Sequence, residues 1–334
     1  MYRKIMGFLE AWKENEHRKP LILQGARQVG KTYSILEFGR IHYENVAYFN
    51  FETNPKLNET FEEKISPDYL IPILSHIAGQ TIVKEKTLIV FDEVQLCERA
   101  LTSLKYFCED APDYHIIVAG SLLGVAVNRA KISFPVGKVD MKTLYPMDME
   151  EFMIAMGEDE LVEQIKKCFE TNRPMPSALH DAAMQLYRQY LVVGGMPECV
   201  MQFVQTGDYI LIRHTQDTIL TSYLNDMGKY NNLNEIKKTR LAYDNITVQL
   251  SKKNTRFQYK LIKKGGRASE FENAIEWLCL SGIVSQVYRV EQIKKPLENY
   301  RDIDAFKIYV SDLGLLCAKK DLAANDILLS LIHI

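Results

Sequence analysis

Residues 20–32 read Pro-Leu-Ile-Leu-Gln-Gly-Ala-Arg-Gln-Val-Gly-Lys-Thr, and Gly25, Gly30, Lys31 and Thr32 fill the pattern G-x-x-x-x-G-K-[ST] without a mismatch. The apolar run Leu21-Ile22-Leu23 comes before it. Tyr33–Arg40 comes after it, with Ile35, Leu36 and Phe38 set among polar residues. The order is buried strand, loop, amphipathic helix. Such a loop serves a phosphate group. Its glycines let the backbone close round the anion with N–H groups turned inward, and the helix that follows offers unpaired N–H groups and a positive dipole end. The predicted contacts are Gly25, Ala26, Arg27, Gln28, Val29, Gly30, Lys31, Thr32 and Tyr33. Lys31 is expected to reach the β- and γ-phosphates and the Thr32 hydroxyl to ligate Mg²⁺. The alternative is a glycine turn that happens to precede a helix; the flanking strand and helix weigh against it.

A second signature lies downstream. Leu88-Ile89-Val90-Phe91 is fully apolar and runs straight into Asp92-Glu93. At the C-terminal end of a strand Asp92 is expected to hold Mg²⁺ through water, and Glu93 to orient and activate an attacking water. Two adjacent acids after a strand also suit a solvated turn, but their place downstream of a complete phosphate loop favours chemistry. His115–Ala119 is a further strand and ends in Gly120-Ser121. Ser121 is placed either to sense the γ-phosphate or to cap a helix over 122–128. With Val46–Phe51 and Lys138–Leu144, five apolar strands alternate with helices. The pattern predicts an α/β fold, a parallel sheet with helices on both faces and its ligand at the strands' C-terminal ends. ATP is favoured over GTP: Asp92 is not followed by x-x-Gly, and Gly137-Lys138-Val139-Asp140 lacks the first residue of a guanine-reading N-K-x-D.

Bulk properties exclude several classes. Of 334 residues, 47% are apolar and 25% charged, and the formal net charge of −2 supplies no whole-chain attraction to nucleic acid. The six cysteines are scattered, with no C-x-x-C, which suits reduced thiols in the cytoplasm. Glu10 interrupts the N-terminal apolar residues, so a signal peptide is not expected. The longest apolar run, Ile116–Val127, is too short to cross a bilayer, so no membrane partner is expected.

Four regions are expected: a nucleotide domain over 1–147, a helical lid over 148–232, a winged-helix-like domain over 233–310 and a stub over 311–334. The N-terminal helix spans 2–16. The lid helices fall near 148–156, 159–171, 177–192, 198–206 and 209–226, and Gly194-Gly195-Met196-Pro197 makes a sharp break between them. Helices near 234–253, 256–262 and 268–281 then precede strands 283–290 and 305–310. Lys252, Lys253, Arg256, Lys260, Lys263, Lys264 and Arg267 form a basic stretch with no acid among them. It reads as a phosphate-backbone contact for DNA, as a solvated face, or as a surface that docks on the acidic stretch 148–163.

The chain resembles the bacterial and archaeal AAA+-type P-loop ATPases in which an ATPase core precedes a C-terminal region of unknown role. The resemblance rests on Gly25–Thr32, Asp92-Glu93-Val94-Gln95, Gly120-Ser121, Pro146 with Glu151-Phe152, Gly194-Gly195-Met196-Pro197-Glu198 and Tyr309-Val310-Ser311-Asp312-Leu313-Gly314-Leu315-Leu316, and it runs along nearly the whole chain. It implies strand order 5-1-4-3-2, a helical and winged-helix lid, and ATP with Mg²⁺ as ligand and cofactor. Lys138 stands where many relatives carry Arg. Relatives continue into a restriction-endonuclease-like domain, and Leu329–Ile334 resembles a translated sequencing-adapter run, so the expectation is a fragment of a longer protein. The function expected is a Mg²⁺-dependent ATPase acting as a switch or motor, with a homo-oligomer in view; Arg99 and Arg129 lie near sheet ends and neither is assigned as an arginine finger. The alternatives are an ATP-regulated DNA-binding protein and a nucleotide-binding interaction protein with little turnover.

Overall fold

The computed structural model describes residues 1–120, 134–229, 233–252 and 256–330. Ser121, Arg129, Lys253 and the helix expected over 122–128 lie outside the described residues. The chain divides into two compact units, Arg3–Leu144 and Tyr145–Ile334, the latter joined by Met1–Tyr2.

The first unit begins with α1 (Ile5–Glu14), which buries Ile5, Leu9 and Trp12. It continues with β1 (Leu21–Gln24), α2 (Lys31–His42), β2 (Asn45–Asn50), α3 (Leu57–Glu63), α4 (Pro67–Ala78), β3 (Thr87–Asp92), α5 (Glu98–Asp110), β4 (His115–Gly120) and β5 (Asp140–Thr143). The sheet order is β2-β3-β4-β1-β5, with every neighbouring pair parallel. Read from the other edge this is 5-1-4-3-2, as expected. Strands β3 and β4 are buried at every position, which is why they read as unbroken apolar runs rather than alternating ones. Strand β5 is shorter than the expected 138–144 and half-exposed. As an edge strand it needs one neighbour only, and Leu21–Gln24 pairs with it along its whole length. Ser66 stands at the N-cap of α4 without a side-chain cap bond, so that start rests on Pro67 at the first helical turn.

Strand β3 ends in Asp92 and leads into Glu93, and that end is held by aromatic packing. Phe91 makes edge contacts with Phe49, Phe51 and Phe61 at ring-centroid distances of 5.9, 5.8 and 5.7 Å. All four rings are buried. Edge-to-face rings of this kind add about 0.5–1.5 kcal/mol per pair to their burial, and they fix the residue next to Asp92.

The second unit is helical and then carries a ribbon. It contains α6 (Met149–Ala155), α7 (Asp159–Glu170), α8 (Ser177–Val193), α9 (Pro197–Thr206), α10 (Tyr209–Lys229), α11 (Leu233–Leu250), α12 (Ala268–Leu280), β6 (Val284–Val290), β7 (Arg301–Val310), α13 (Leu313–Lys319) and α14 (Ala324–Ser330). Two of the acids in the 148–163 stretch form a capping box. The Glu151 amide donates to Asp148 Oδ1 at 2.9 Å and the Asp148 amide to Glu151 Oε2 at 3.1 Å. Lys166 answers two more, with 2.9 Å to Glu150 and 3.1 Å to Glu163.

The break after α8 meets a segment more than a hundred positions away. Asp312 is buried; its Oδ2 accepts the Gly195 amide at 2.6 Å and its Oδ1 the Leu315 amide at 2.8 Å. Met147 donates its amide to Gly195 O at 2.7 Å and accepts the Tyr190 hydroxyl at 2.8 Å. A Cβ at Gly195 would lie 1.9 Å from Met147 O, so only glycine permits this approach. The Gly-Gly-Met-Pro and Asp-x-Gly-Leu segments are therefore two halves of one buried junction.

The order of helices followed by an antiparallel β6–β7 ribbon is as expected. The helix expected over 256–262 is only the single turn Tyr259–Leu261. Side chains of α11 take its backbone groups: Gln249 Oε1 accepts the Gln258 amide at 2.7 Å, and Asn245 Nδ2 donates to Leu261 O at 2.9 Å. Strand β7 begins at Arg301, ahead of the expected 305. Among the described residues no helix is long and apolar enough to cross a membrane.

Candidate nucleotide-binding site

Because all five strands run parallel, Gln24, Asp92 and Gly120 end at one edge of the sheet. The phosphate-type loop leaves β1 at that edge. Gly25 has φ of 148°, and a Cβ there would sit 2.1 Å from Leu144 O. The loop can thus turn away from β1 only as glycine while the Leu144 amide keeps its 2.8 Å bond to Gln24 O. Ala26 and Val29 are buried, Arg27 is half-buried and Gln28 is exposed at the loop tip, with a left-handed φ of 66°. Gly30, at φ 89°, is the N-cap of α2. The first turn of α2 therefore faces the loop with its N–H groups, as an anion site requires. Tyr33 is 58% exposed.

Lys31 is 7% exposed, and its ammonium donates to Gly25 O at 2.9 Å and Ala26 O at 2.7 Å. Burial lowers its pKa to about 8, against the opposing pull of Glu93 and Asp92. A cation held at this cost, against two loop carbonyls at a helix start, is placed to meet an anion.

Asp92 is buried at the end of β3. Its Oδ2 accepts the Thr32 hydroxyl at 2.8 Å and the Tyr48 hydroxyl at 2.7 Å, and its Oδ1 accepts the Glu93 amide at 3.0 Å. The structure thus joins Thr32 and Asp92, the two residues expected to share a metal. Their donor set is all oxygen, one carboxylate and one hydroxyl. That suits Mg²⁺, which keeps several waters and takes further ligands from phosphates. No group of three or more His, Cys, Asp or Glu side chains suited to a metal occurs among the described residues.

Glu93 sits in the left-handed region at φ 51°, a conformation that costs a non-glycine residue about 1–3 kcal/mol and is usually kept for a function. Burial raises its pKa, opposed by a hydrogen bond from Gln95. Ser121, the expected sensor, lies outside the described residues. Arg99 donates to Phe61 O inside its own unit.

Two site residues, Arg3 and Tyr48, were missed from the sequence, and Gln95 was quoted there only within the family resemblance, with no role given to it. Arg3 is buried and its guanidinium donates to Val29 O at 2.9 Å, bracing the loop from the start of the chain. No local pattern announces it. Gln95 follows the acid pair and donates to Glu93 Oε2. Tyr48 lies on β2, and burial raises its pKa to about 12, so it remains a donor at neutral pH. A signal for it existed: a polar-tipped aromatic on the strand expected beside β3, near that strand's C-terminal end.

Residues 17–153 match the family model described as AAA domain. Residues 184–326 match Domain of unknown function (DUF8612), which carries no winged-helix or endonuclease assignment. In fold the chain is similar to the Walker-type ATPase paby2304 of Pyrococcus abyssi. The TM-score is 0.57 at 14% identity, over 96% of this chain and 95% of that one. The ORC2 protein of Aeropyrum pernix aligns over 100% and 96% of the two chains with 11% identity and a TM-score of 0.44. A single-residue variant of RuvB from Thermotoga maritima aligns over 84% and 87% with 15% identity and a TM-score of 0.38. Likeness at these identities speaks to fold, and the last two are too loose to carry an argument. No curated protein matches by sequence. Residues 17–153 match the AAA domain model, and sheet order and loop geometry agree that this part of the chain has the P-loop NTPase fold.

Proposed function

We propose that this protein binds ATP with Mg²⁺ at the C-terminal edge of the parallel sheet and hydrolyses it to ADP and phosphate, as a molecular switch or motor. The observation that carries this is the bond between Thr32 and Asp92. It brings the end of the phosphate loop and the end of β3 to one carboxylate oxygen, beside a buried lysine. In this reading Gly25–Thr32 wrap the phosphates as the Walker A loop, with Tyr33 beyond them on α2. Asp92-Glu93 is the Walker B pair. Lys31 leaves the Gly25 and Ala26 carbonyls for the β- and γ-phosphate oxygens. Thr32 and Asp92 would hold Mg²⁺, which when bound supplies charge neutralisation at the phosphates. Glu93 orients a water and takes its proton as the water oxygen bonds to the γ-phosphorus; the bond to the β–γ bridging oxygen breaks and its electron pair leaves with ADP. Ser121 is assigned as the γ-phosphate sensor.

Binding and phosphate release test this directly. Lys31→Ala is expected to lose ATP binding. Glu93→Gln is expected to bind ATP with near wild-type affinity and turn over at least about 100-fold more slowly, the scale of general-base catalysis. Wild-type turnover by Glu93→Gln would remove Glu93 from its role.

A second reading has one observation behind it. Arg256, Lys260, Lys263, Lys264 and Arg267 are all exposed, a placement suited to contact with a nucleic-acid backbone by the helices and ribbon of 233–310, the region taken as winged-helix-like.

A further inference from the structure

The Asp92 carboxylate is oriented by three donors from three different elements, and one of them has no place in either sequence motif. Tyr48, on β2, donates its hydroxyl to Asp92 Oδ2 at 2.7 Å. A carboxylate only accepts, so the phenol hydrogen is committed to that bond. The phenol oxygen in turn accepts Asn50 Nδ2 at 3.1 Å. The orientation of the Asn50 amide is set as well, because its Oδ1 accepts the backbone amides of Glu52 and Thr53, each at 2.9 Å. A one-way chain of donors therefore runs from the turn after β2, through Asn50 and Tyr48, to the carboxylate. Parallel pairing makes this possible: Asn50 is in register with Asp92, and Tyr48 lies two residues behind on the same face of β2.

The arrangement differentiates the two carboxylate oxygens. Oδ2 accepts from both Thr32 and Tyr48, which fills its two lone pairs. Among the described residues Oδ1 accepts from the Glu93 amide alone, which leaves one lone pair for a metal-bound water. Without Tyr48 the carboxylate would keep only the Thr32 hydroxyl on Oδ2 and the Glu93 amide on Oδ1, and its rotation about the Cβ–Cγ bond would be less firmly held.

We infer that Tyr48 is a positioning residue for the metal site: its hydroxyl, aligned by Asn50, holds the Asp92 carboxylate in the orientation that accepts the hydrated cation beside Thr32. This rests on the reading of Asp92 as the metal-holding acid. Outer groups that orient a metal-binding carboxylate typically matter about 10- to 100-fold for metal affinity.

The test uses the full chain and a fluorescent, non-hydrolysable ATP analogue. Its dissociation constant is measured with saturating Mg²⁺ and again in EDTA, and the ratio of the two reports what the metal adds. In Tyr48→Phe the ring stays and one oxygen goes from a side chain that is 37% exposed, so the melting temperature should hold. The expected result is an unchanged constant in EDTA and a metal-dependent gain reduced by about tenfold or more. Asp92→Asn is the control for the underlying reading and should reduce the gain at least as far. If Asp92→Asn weakens the metal effect and Tyr48→Phe leaves it unchanged or increases it, Tyr48 has no positioning role. If Asp92→Asn itself leaves the metal effect intact, the assignment of Asp92 fails and Tyr48 falls with it. A fall in the EDTA affinity of Tyr48→Phe equal to the fall with Mg²⁺ would mean a general distortion of the loop, and would also overturn the inference.

Discussion

Nucleotide affinity should fall as pH rises through about 8, and Lys31 is the reason. Its ammonium is buried against the Gly25 and Ala26 carbonyls, and removal from water lowers its pKa to about 8 from the usual 10.5. A bound triphosphate surrounds the same nitrogen with anionic oxygens and restores the charged form. Binding above pH 8 therefore takes up a proton. With a pKa near 8 the free protein keeps about ten-elevenths of Lys31 charged at pH 7 and about one-eleventh at pH 9. The expected loss over that interval is about tenfold in affinity, or about 1.4 kcal/mol. The triphosphate is fully ionised at the upper end and adds little slope there. Without nucleotide the sign reverses: Lys31 binds fewer protons folded than unfolded between about pH 8 and its ordinary 10.5, so stability rises with pH across that window.

Titration calorimetry checks both parts. The affinity follows from the isotherm, and the proton uptake from the dependence of the heat on the buffer's ionisation enthalpy. Lys31→Arg is the control, because a guanidinium stays charged throughout. It should bind more weakly and show no such slope. Glu93→Gln removes the largest charge that raises the Lys31 pKa, so the midpoint should move to lower pH. An affinity that is flat between pH 7 and 9, or one that falls as steeply in Lys31→Arg, would refute the assignment of the titration to Lys31.

Two further predictions concern the second unit. Asp312 is raised by burial to about 6 from 3.8, so its ionised form is disfavoured in the fold; its contribution to stability is largest below about pH 4 and shrinks as pH rises through 6. Asp312→Ala leaves the Gly195 and Leu315 amides without their acceptor, at about 1–3 kcal/mol each. The loss should be larger at pH 4 than at pH 7, read from Trp277 fluorescence during urea unfolding in a Trp12→Phe background; equal losses would refute the titration. For nucleic acid, the logarithm of affinity should fall linearly with the logarithm of salt concentration. The slope should decrease by about 2.7 in duplex assays and about 2 in single-strand assays when Lys260, Lys263 and Lys264 become Ala. No change of slope would exclude this stretch as the contact.

What was legible in the sequence follows the distance over which each requirement acts. The loop was legible because its demands are local: glycine at the strand exit, where a Cβ would strike Leu144 O, then lysine and threonine in the first turn of α2. The parallel sheet was legible because β3 and β4 are buried on both faces and so read as unbroken apolar runs. The Gly194-Gly195 break and the Asp312 segment were each visible as motifs, but their union was not. It depends on Met147 and Asp312 arriving from far along the chain to bond the same glycine. The turn at Tyr259–Leu261 was misjudged for a similar reason: local propensity suggested a helix, and α11 side chains took the backbone groups a helix would have used.

The residues that escaped notice around the site are those that act on another functional residue and not on the ligand. Tyr48 acts on Asp92, Gln95 on Glu93 and Arg3 on the loop carbonyl of Val29. Tyr48 and Arg3 belong to no motif, because each could be supplied from several positions once the sheet order is set, and Gln95 stands in the quoted Asp92–Gln95 segment without a role assigned to it there. Their effect is nonetheless directional. Burial alone makes Glu93 a stronger proton acceptor, and the Gln95 amide pulls the other way; the burial effect is the larger. A carboxylate so placed has greater affinity for a proton than one in water while Gln95 keeps it in one orientation, which is the combination a general base needs. Asp92, by contrast, accepts from three donors, and these fix which oxygen it presents. In the proposed reading, two adjacent acids are thus directed to different tasks by different hydrogen-bond partners, Thr32 and Tyr48 on Asp92 and Gln95 on Glu93.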